Sequence, residues 1–372
     1  MKRTIGKMAS IGIGFLALLL PTACERGNNA ATGSSEGAST IVLGSILPLT
    51  GDVASYGRAA QRGIDLAVEE INAKGGIKGR KIKVIYEDDQ GKSAPAIAAM
   101  QKLVSVDKVP LVFGSAASSV SVALCPIANR EKVVLISPIS SSKELTDVGG
   151  RYFFRTCPSD VVQAHMMADW LKEDGHHKVG VIFVNNSWGQ GLKDEFVKRF
   201  EAVGETVVAV ESCKEGDRDL RTQLSKLSAA APDAIYGITY GREGGSLLRQ
   251  AKELGVNVPM YGADVWGSTE LVETAQDAAS GVKVIVPSKF TGAKYEAFAK
   301  KFKEKYGEDP DVYASYAYDM AYVVFAALEK AGGGDALREA IAATTYEGVT
   351  GQTKFDENGD VVGKGFERKT LP

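Results

Sequence analysis

The chain has 372 residues, with 44 Lys and Arg against 46 Asp and Glu, and a formal charge of −2. Hydrophobic residues make up 44% and charged ones 24%, the balance of a folded protein long enough for about two domains. Near-neutrality excludes nucleic acid as the main partner, which would demand a clustered excess of cations. A mean hydropathy of −0.07 excludes a multi-span membrane protein.

Lys2, Arg3 and Lys7 precede an uncharged apolar run, Met8 to Leu20. The run is too short to cross a bilayer and has the length of a signal-peptide core. Residues 1–23 are therefore expected to be a signal peptide, and its loss takes the charge to −5. Pro21-Thr22-Ala23-Cys24 resembles a bacterial lipobox, with Pro21 where an aliphatic residue is usual. Cys24 is the expected lipidation site, and the polar stretch 24–39 reads as a flexible tether. The alternative is ordinary cleavage after Ala23 or slightly downstream. Either route exports the chain to the periplasm or the exterior of the cell envelope. The other cysteines, Cys125, Cys157 and Cys213, allow one disulfide, with Cys157–Cys213 as the candidate pair, or three buried thiols. With no CxxC and only three histidines, no metal site is expected.

From Thr40 short β-branched runs alternate with amphipathic ones. Strands are expected at 41–47, 82–87, 111–113, 133–136, 179–184, 207–210, 234–238, 258–261 and 282–286. Helices are expected between and after them, at 56–73, 93–106, 119–130, 160–173, 189–203, 218–230, 243–254, 295–306 and 315–330. The first places Ala60, Ile64, Ala67, Val68 and Ile71 on one face and stops at Gly75-Gly76. A hairpin is expected over 350–362, turning at Asn358-Gly359. Sustained β-α alternation predicts an α/β protein of parallel sheets covered by helices, either a single barrel or two doubly wound domains.

Catalytic motifs fail. The first strand-to-helix turn, Gly44 to Gly51, lacks the glycine spacing of a dinucleotide site, and no P-loop, GxSxG elbow or HExxH occurs. No catalytic residue, cofactor or metal is assigned, and the chain is read as not an enzyme. Small polar and aromatic residues instead cluster after successive strands, where open α/β sheets bind ligands. Gly114 to Ser119 and Ser137 to Ser142 are hydroxyl-rich. Asn185 to Gly189 carries Trp188, Thr239 to Gly241 carries Tyr240, and Gly262 to Asp264 ends in an acid. Hydroxyls beside a helix N-terminus suit a carboxylate, although each loop alone is equally an N-cap.

Leu49-Thr50-Gly51 with Tyr56-Gly57, Ile71 to Gly79, Ile136-Ser137-Pro138 with Glu144-Leu145-Thr146, Phe154-Arg155-Thr156, Trp188 to Gly191 and Leu248 to Ala251 form a recognisable set. Together they resemble the periplasmic branched-chain amino acid (Leu/Ile/Val)-binding proteins of ABC transporters. The resemblance implies the type I periplasmic binding fold, two doubly wound α/β lobes joined by a three-stranded hinge. It places residues 40–158 and 288–345 in the first lobe and 159–287 and 346–372 in the second. The implied function is binding of an aliphatic amino acid in the cleft by hinge closure and delivery to a membrane permease, by a monomer. The resemblance assigns Ser118 to the ligand carboxylate, the Ile139 carbonyl to the ammonium and the Ser141 hydroxyl to the ligand. Tyr240 and Asp264 hold the ammonium from the second lobe, and Tyr56 and Trp188 line the side-chain pocket. Alternatives are the same fold binding an aromatic carboxylic acid or amide, or a secreted α/β hydrolase.

Overall fold

The computed structural model describes residues 40–372. The expected signal peptide, Cys24 and the tether to residue 39 lie outside the described residues. Five parallel strands open the fold: β1 (Ile41–Leu47), β2 (Ile82–Asp88), β3 (Leu111–Gly114), β4 (Val134–Ser137) and β5 (Phe153–Arg155). Their connections are α1 (Ala54–Ala73), α2 (Ser93–Ser105), α3 (Ser118–Glu131) and the short α4 (Glu144–Val148). The spatial order is β2-β1-β3-β4-β5, with Ile41 opposite Ile82 and Leu111 opposite Val134. Strands β3 and β4 are buried throughout, as continuous apolar runs covered on both faces must be.

A second winding follows, with α5 (Asp160–Glu173), β6 (Lys178–Val184), α6 (Ser187–Ala202), β7 (Thr206–Cys213), α7 (Arg221–Ala229), β8 (Ala234–Ile238), α8 (Gly241–Glu253), β9 (Met260–Gly262), α9 (Thr269–Ala275) and β10 (Lys283–Pro287). The chain then returns to the first layer with α10 (Ala293–Tyr306), α11 (Val312–Leu328) and α12 (Gly334–Ala342), whose Phe298, Phe302, Met320, Val324 and Ile341 join the first core. A two-stranded hairpin, β11 (Tyr346–Gly348) and β12 (Gly351–Thr353), precedes β13 (Phe366–Thr370), which runs antiparallel to β10. The second sheet reads β13-β10-β9-β8-β6-β7.

Two separate cores result, one per sheet. Within residues 346–372 the side chains divide between the two cores. Val349 and Phe355 are buried in the first core, whereas Phe366 and Leu371 are buried in the second. The last crossing therefore lies between Phe355 and Phe366. It is tied to the first lobe by Arg155, wholly buried, whose Nη2 donates to Asp360 Oδ2 at 2.7 Å while Nε lies 2.7 Å from Oδ1. Near Asn358-Gly359 the chain does reverse, but with a single bridge, Phe355 to Val361, because Asp360 leaves to bridge Arg155. The longer pairing occurs upstream, in β11 and β12.

The candidate disulfide is not formed: Cys125, Cys157 and Cys213 are free and buried. Cys213 ends β7 inside the second core, while Cys157 lies at the first crossing and donates to the Ser140 carbonyl at 3.5 Å. Burial pushes the thiol pKa of all three up to about 12, so they persist as neutral thiols.

Candidate functional site

Both sheets have a point where successive strands add in opposite directions, between β1 and β3 in the first and between β6 and β8 in the second. Loops leaving such a point diverge and open a crevice at the carboxyl ends of the strands. The two crevices face each other. Tyr56 (α1) and Ala116-Ala117-Ser118 (leading into α3) enter from the first lobe, and Trp188 (α6), Tyr240 (before α8) and Asp264 (after β9) enter from the second. A cavity lined by these residues, with Val53, Ile139, Ser141, Val265 and Tyr313, lies between them. All seven residues singled out in the sequence, Tyr56, Ser118, Ile139, Ser141, Trp188, Tyr240 and Asp264, line it.

The hydroxyl-rich loops are held by their own serines. Ser137 Oγ donates to the Ser115 carbonyl at 2.7 Å and accepts from the N–H groups of Ile139 and Ser140. Ser140 Oγ donates to the same carbonyl at 2.7 Å and meets Ser121 Oγ at 2.8 Å. These bonds satisfy buried backbone groups that a loop cannot pair by secondary structure, and so fix the carbonyl of Ile139 and the hydroxyl of Ser141 beside Ser118. Ser118 is the first residue of the 14-residue α3, so its hydroxyl sits beside the unpaired N–H groups of a helix N-terminus.

Four aromatic rings form a chain across the cleft. Trp188 stacks on Tyr240, with centroids 5.0 Å apart and planes 16° apart. Tyr240 meets Tyr56 of the opposite lobe at 5.9 Å, and Tyr313 packs edge-on to Tyr56 at 5.2 Å. The space left among them is about 30 Å³, against the several hundred of an ordinary small-molecule site. Tyr56, Asp264 and Tyr313 also line a wider groove of about 820 Å³ outside the cavity.

Asp264 is held from behind. The next turn carries Trp266, fully buried, whose Nε1 donates to the Thr239 carbonyl at 3.0 Å. A Cβ on Gly237, Gly244 or Gly262 would lie 2.1 to 2.6 Å from that indole, so only glycine admits the ring that seats the acid. In front, Gln163 Nε2 donates to Asp264 Oδ1 at 3.2 Å and to Asp160 Oδ1 at 2.6 Å. Asp160 is completely buried, and its Oδ2 has no hydrogen-bond partner among the described residues. Desolvation raises the pKa of Asp264 to about 6; desolvation followed by the charge of Asp264 raises that of Asp160 to about 7. Two desolvated carboxyl groups bridged by one amide form a site that a positive group would stabilise.

Sequence reasoning missed Asp160, Gln163 and Tyr313. Asp160 opens a helix, where an acid ordinarily serves the helix dipole, so nothing local distinguishes it. Tyr313 comes from α11, about 257 positions beyond Tyr56, and only the return of the chain to the first lobe brings them together.

Residues 40–365 match the family model described as periplasmic binding protein. The chain belongs to this family. A curated relative is the leucine-, isoleucine-, valine-, threonine- and alanine-binding protein of Pseudomonas aeruginosa, 32% identical over 331 residues and covering 88% of each chain. Among solved structures, the branched-chain amino acid transporter substrate-binding protein LivJ of Streptococcus pneumoniae, in complex with isoleucine, superposes with a TM-score of 0.80 at 30% identity. The match covers 89% of this chain and all of that one. A solute-binding protein of an ABC transporter from Rhodopseudomonas palustris BisB5, in complex with 3,4-dihydroxybenzoic acid, gives a TM-score of 0.80 at 26% identity, over 90% and 93% of the two chains. As members of a periplasmic binding protein family do, this chain has two α/β lobes facing a cleft.

Proposed function

We propose that this protein is an extracytoplasmic substrate-binding protein that captures an aliphatic amino acid between its lobes and delivers it to the permease of an ABC transporter. The observation that carries the reading is the pairing of unlike surroundings across one cavity. Hydroxyls at a helix N-terminus stand on one side, and Asp264, backed by Gln163 and Asp160 behind the cavity wall, stands on the other. A zwitterion leaving water must have both charges compensated, since an unpaired buried charge is very costly. Ser118, with the first N–H groups of α3, serves the carboxylate. Asp264, the Ile139 carbonyl and Asp160 serve the ammonium, with the Ser141 hydroxyl between the two ends. Tyr56, Trp188, Tyr240 and Tyr313 enclose the side chain. Similarity to binders of leucine, isoleucine and valine supports an aliphatic one. Export and a lipid anchor at Cys24 complete the reading, since a tethered receptor stays near its permease.

Because Ser118 and Asp264 stand on opposite lobes, a bound amino acid bridges them and favours closure. Delivery requires release, so a dissociation constant around micromolar is expected, about −8 kcal/mol. The test is a thermal-shift and calorimetric panel of amino acids, their des-amino acids and simple benzoates, on protein freed of bound ligand by unfolding and refolding. Stabilisation by leucine, isoleucine or valine is expected. Asp264→Ala should cost several kcal/mol for the amino acid and little for a des-amino acid, since it removes a buried charge partner. Equal losses for both classes would refute the ammonium role, and stabilisation by benzoates alone would transfer the site to aromatic acids.

A further inference from the structure

Ser142 does not line the cavity, yet it joins three parts of the molecule. Its N–H donates to Ser118 Oγ at 3.2 Å. That bond occupies a lone pair of the Ser118 hydroxyl and leaves its proton free to point into the cleft. Its carbonyl accepts from Arg155 Nη1 at 2.8 Å, and the same guanidinium grips Asp360 on the last crossing between the lobes. Its own hydroxyl donates across the cleft to the carbonyl of Ser187, the first residue of α6, at 3.0 Å. It also accepts from the N–H of Glu144 at 3.3 Å. The facing surface of α6 is shaped for this contact, because a Cβ on Gly191 would lie 2.8 Å from Ser142 Oγ and no closer than 3.9 Å to any other atom.

We infer that Ser142 is a positioning residue, a latch that holds the lobes closed without touching the ligand and sets how long the ligand stays. The inference rests on the proposed hinge closure and extends it to a residue outside the cavity. The hydroxyl bond to Ser187 exists only when the lobes meet, so it adds stability to the closed state alone. The amide bond to Ser118 aligns the carboxylate-binding hydroxyl in the same residue. A closed-state contact of this kind acts on every ligand equally, and its loss appears as faster release, since mutations within one interface act mainly on dissociation.

Three variants test it: Ser142→Ala, Gly191→Ala and the double variant. Each is followed by stopped-flow Trp fluorescence, with Trp188 beside the latch as reporter, and by the melting temperature of the ligand-free protein. Spin-label distances between exposed positions, Glu131 and Glu201 replaced by cysteine, report the closure of the lobes. Ser142→Ala should speed dissociation about fivefold for every ligand alike, the loss of one neutral inter-lobe hydrogen bond, with association unchanged and ligand-free melting lowered only by the lost contact to the Glu144 N–H. Gly191→Ala should do the same or more. The double variant should release more slowly than Gly191→Ala alone, because without the hydroxyl the added methyl meets nothing closer than 3.9 Å. That rescue can arise only if the two lobes touch here in the bound state. Unchanged dissociation and unchanged closed-state distances in Ser142→Ala, or strictly additive single variants, would overturn the latch. If the unmutated protein binds no member of the panel, the amino-acid reading fails by itself. The distance distributions, compared between the unmutated protein and Ser142→Ala, then decide the latch.

Discussion

Asp160 and Asp264 both hold their protons well above the ordinary carboxylate range, at about 7 and about 6, with desolvation as the leading cause. A raised carboxyl pKa means that the folded protein binds more protons than the unfolded chain between about pH 4 and 7. The contribution of this pair to the stability of the ligand-free protein therefore falls as pH rises through that window and is constant above it. A ligand ammonium reverses the preference and favours both ionised forms. Binding should thus release protons at pH 6 and almost none at pH 8, and affinity should rise from pH 5 to about 7 before levelling. Calorimetry in buffers of different ionisation enthalpy measures the release directly. Asp160→Asn should flatten the part of the profile near pH 7 and keep the part near pH 6. Buffer-independent heats at pH 6 would show that no cation meets this pair. Asp264 was legible in the sequence because it follows a strand in a loop of small residues. Asp160 was not, since its charge matters only through a neighbour 104 positions away.

Helix α1 shows how an element is placed by what it lacks. Gly63 faces α11, where an added Cβ would lie 2.2 Å from the carbonyl oxygen of Ala314. In an exposed helix, Gly→Ala would stabilise by about 1 kcal/mol. Here Gly63→Ala should destabilise by about 1–3 kcal/mol, because it drives the two helices apart. Urea denaturation gives the sign, and a gain in stability would mean that the contact is loose. Tyr56 rides on α1 and Tyr313 on the start of α11, so the same variant should weaken ligand binding. The apolar period of α1 and its glycine stop were readable, and the helix does end at Ala73. Strand β5 was not anticipated. At three residues, Phe153–Arg155, it is too short for a period to register, and only its pairing with β4 and the bridge to Asp360 define it. Helix α12 was likewise passed over, between a glycine run and the last hairpin.

At the scale of the whole molecule, Arg155 joins first lobe and last crossing through one buried guanidinium, with further bonds to Thr146 Oγ1 and the Ser142 carbonyl. Arg155→Leu strips Asp360 of its counter-charge and should cost about 3–5 kcal/mol, the usual loss when one member of a buried pair is removed. Chemical denaturation measures it, and a change below 1 kcal/mol would show that Asp360 is solvated in practice. Arg155→Lys should recover only part, because an ammonium cannot reproduce the two-point grip.

The alternation of short apolar runs with amphipathic ones is local, and local chemistry was enough to establish an α/β chain, most helix and strand centres and the hydroxyl-rich loops after the strands. The motifs carried the rest of the family likeness, and with it seven of the twelve residues that line the cavity. Other features depend on partners far apart in the chain: the crossing between Phe355 and Phe366, the glycine cradle of Trp266, the Asp160–Gln163–Asp264 group and the Ser142–Ser187 contact. Such contacts leave no trace in spacing, because any serine, glycine or acid at those positions has an ordinary local use. Their meaning arises only when two sheets, each packed about its own core, bring their strand ends face to face.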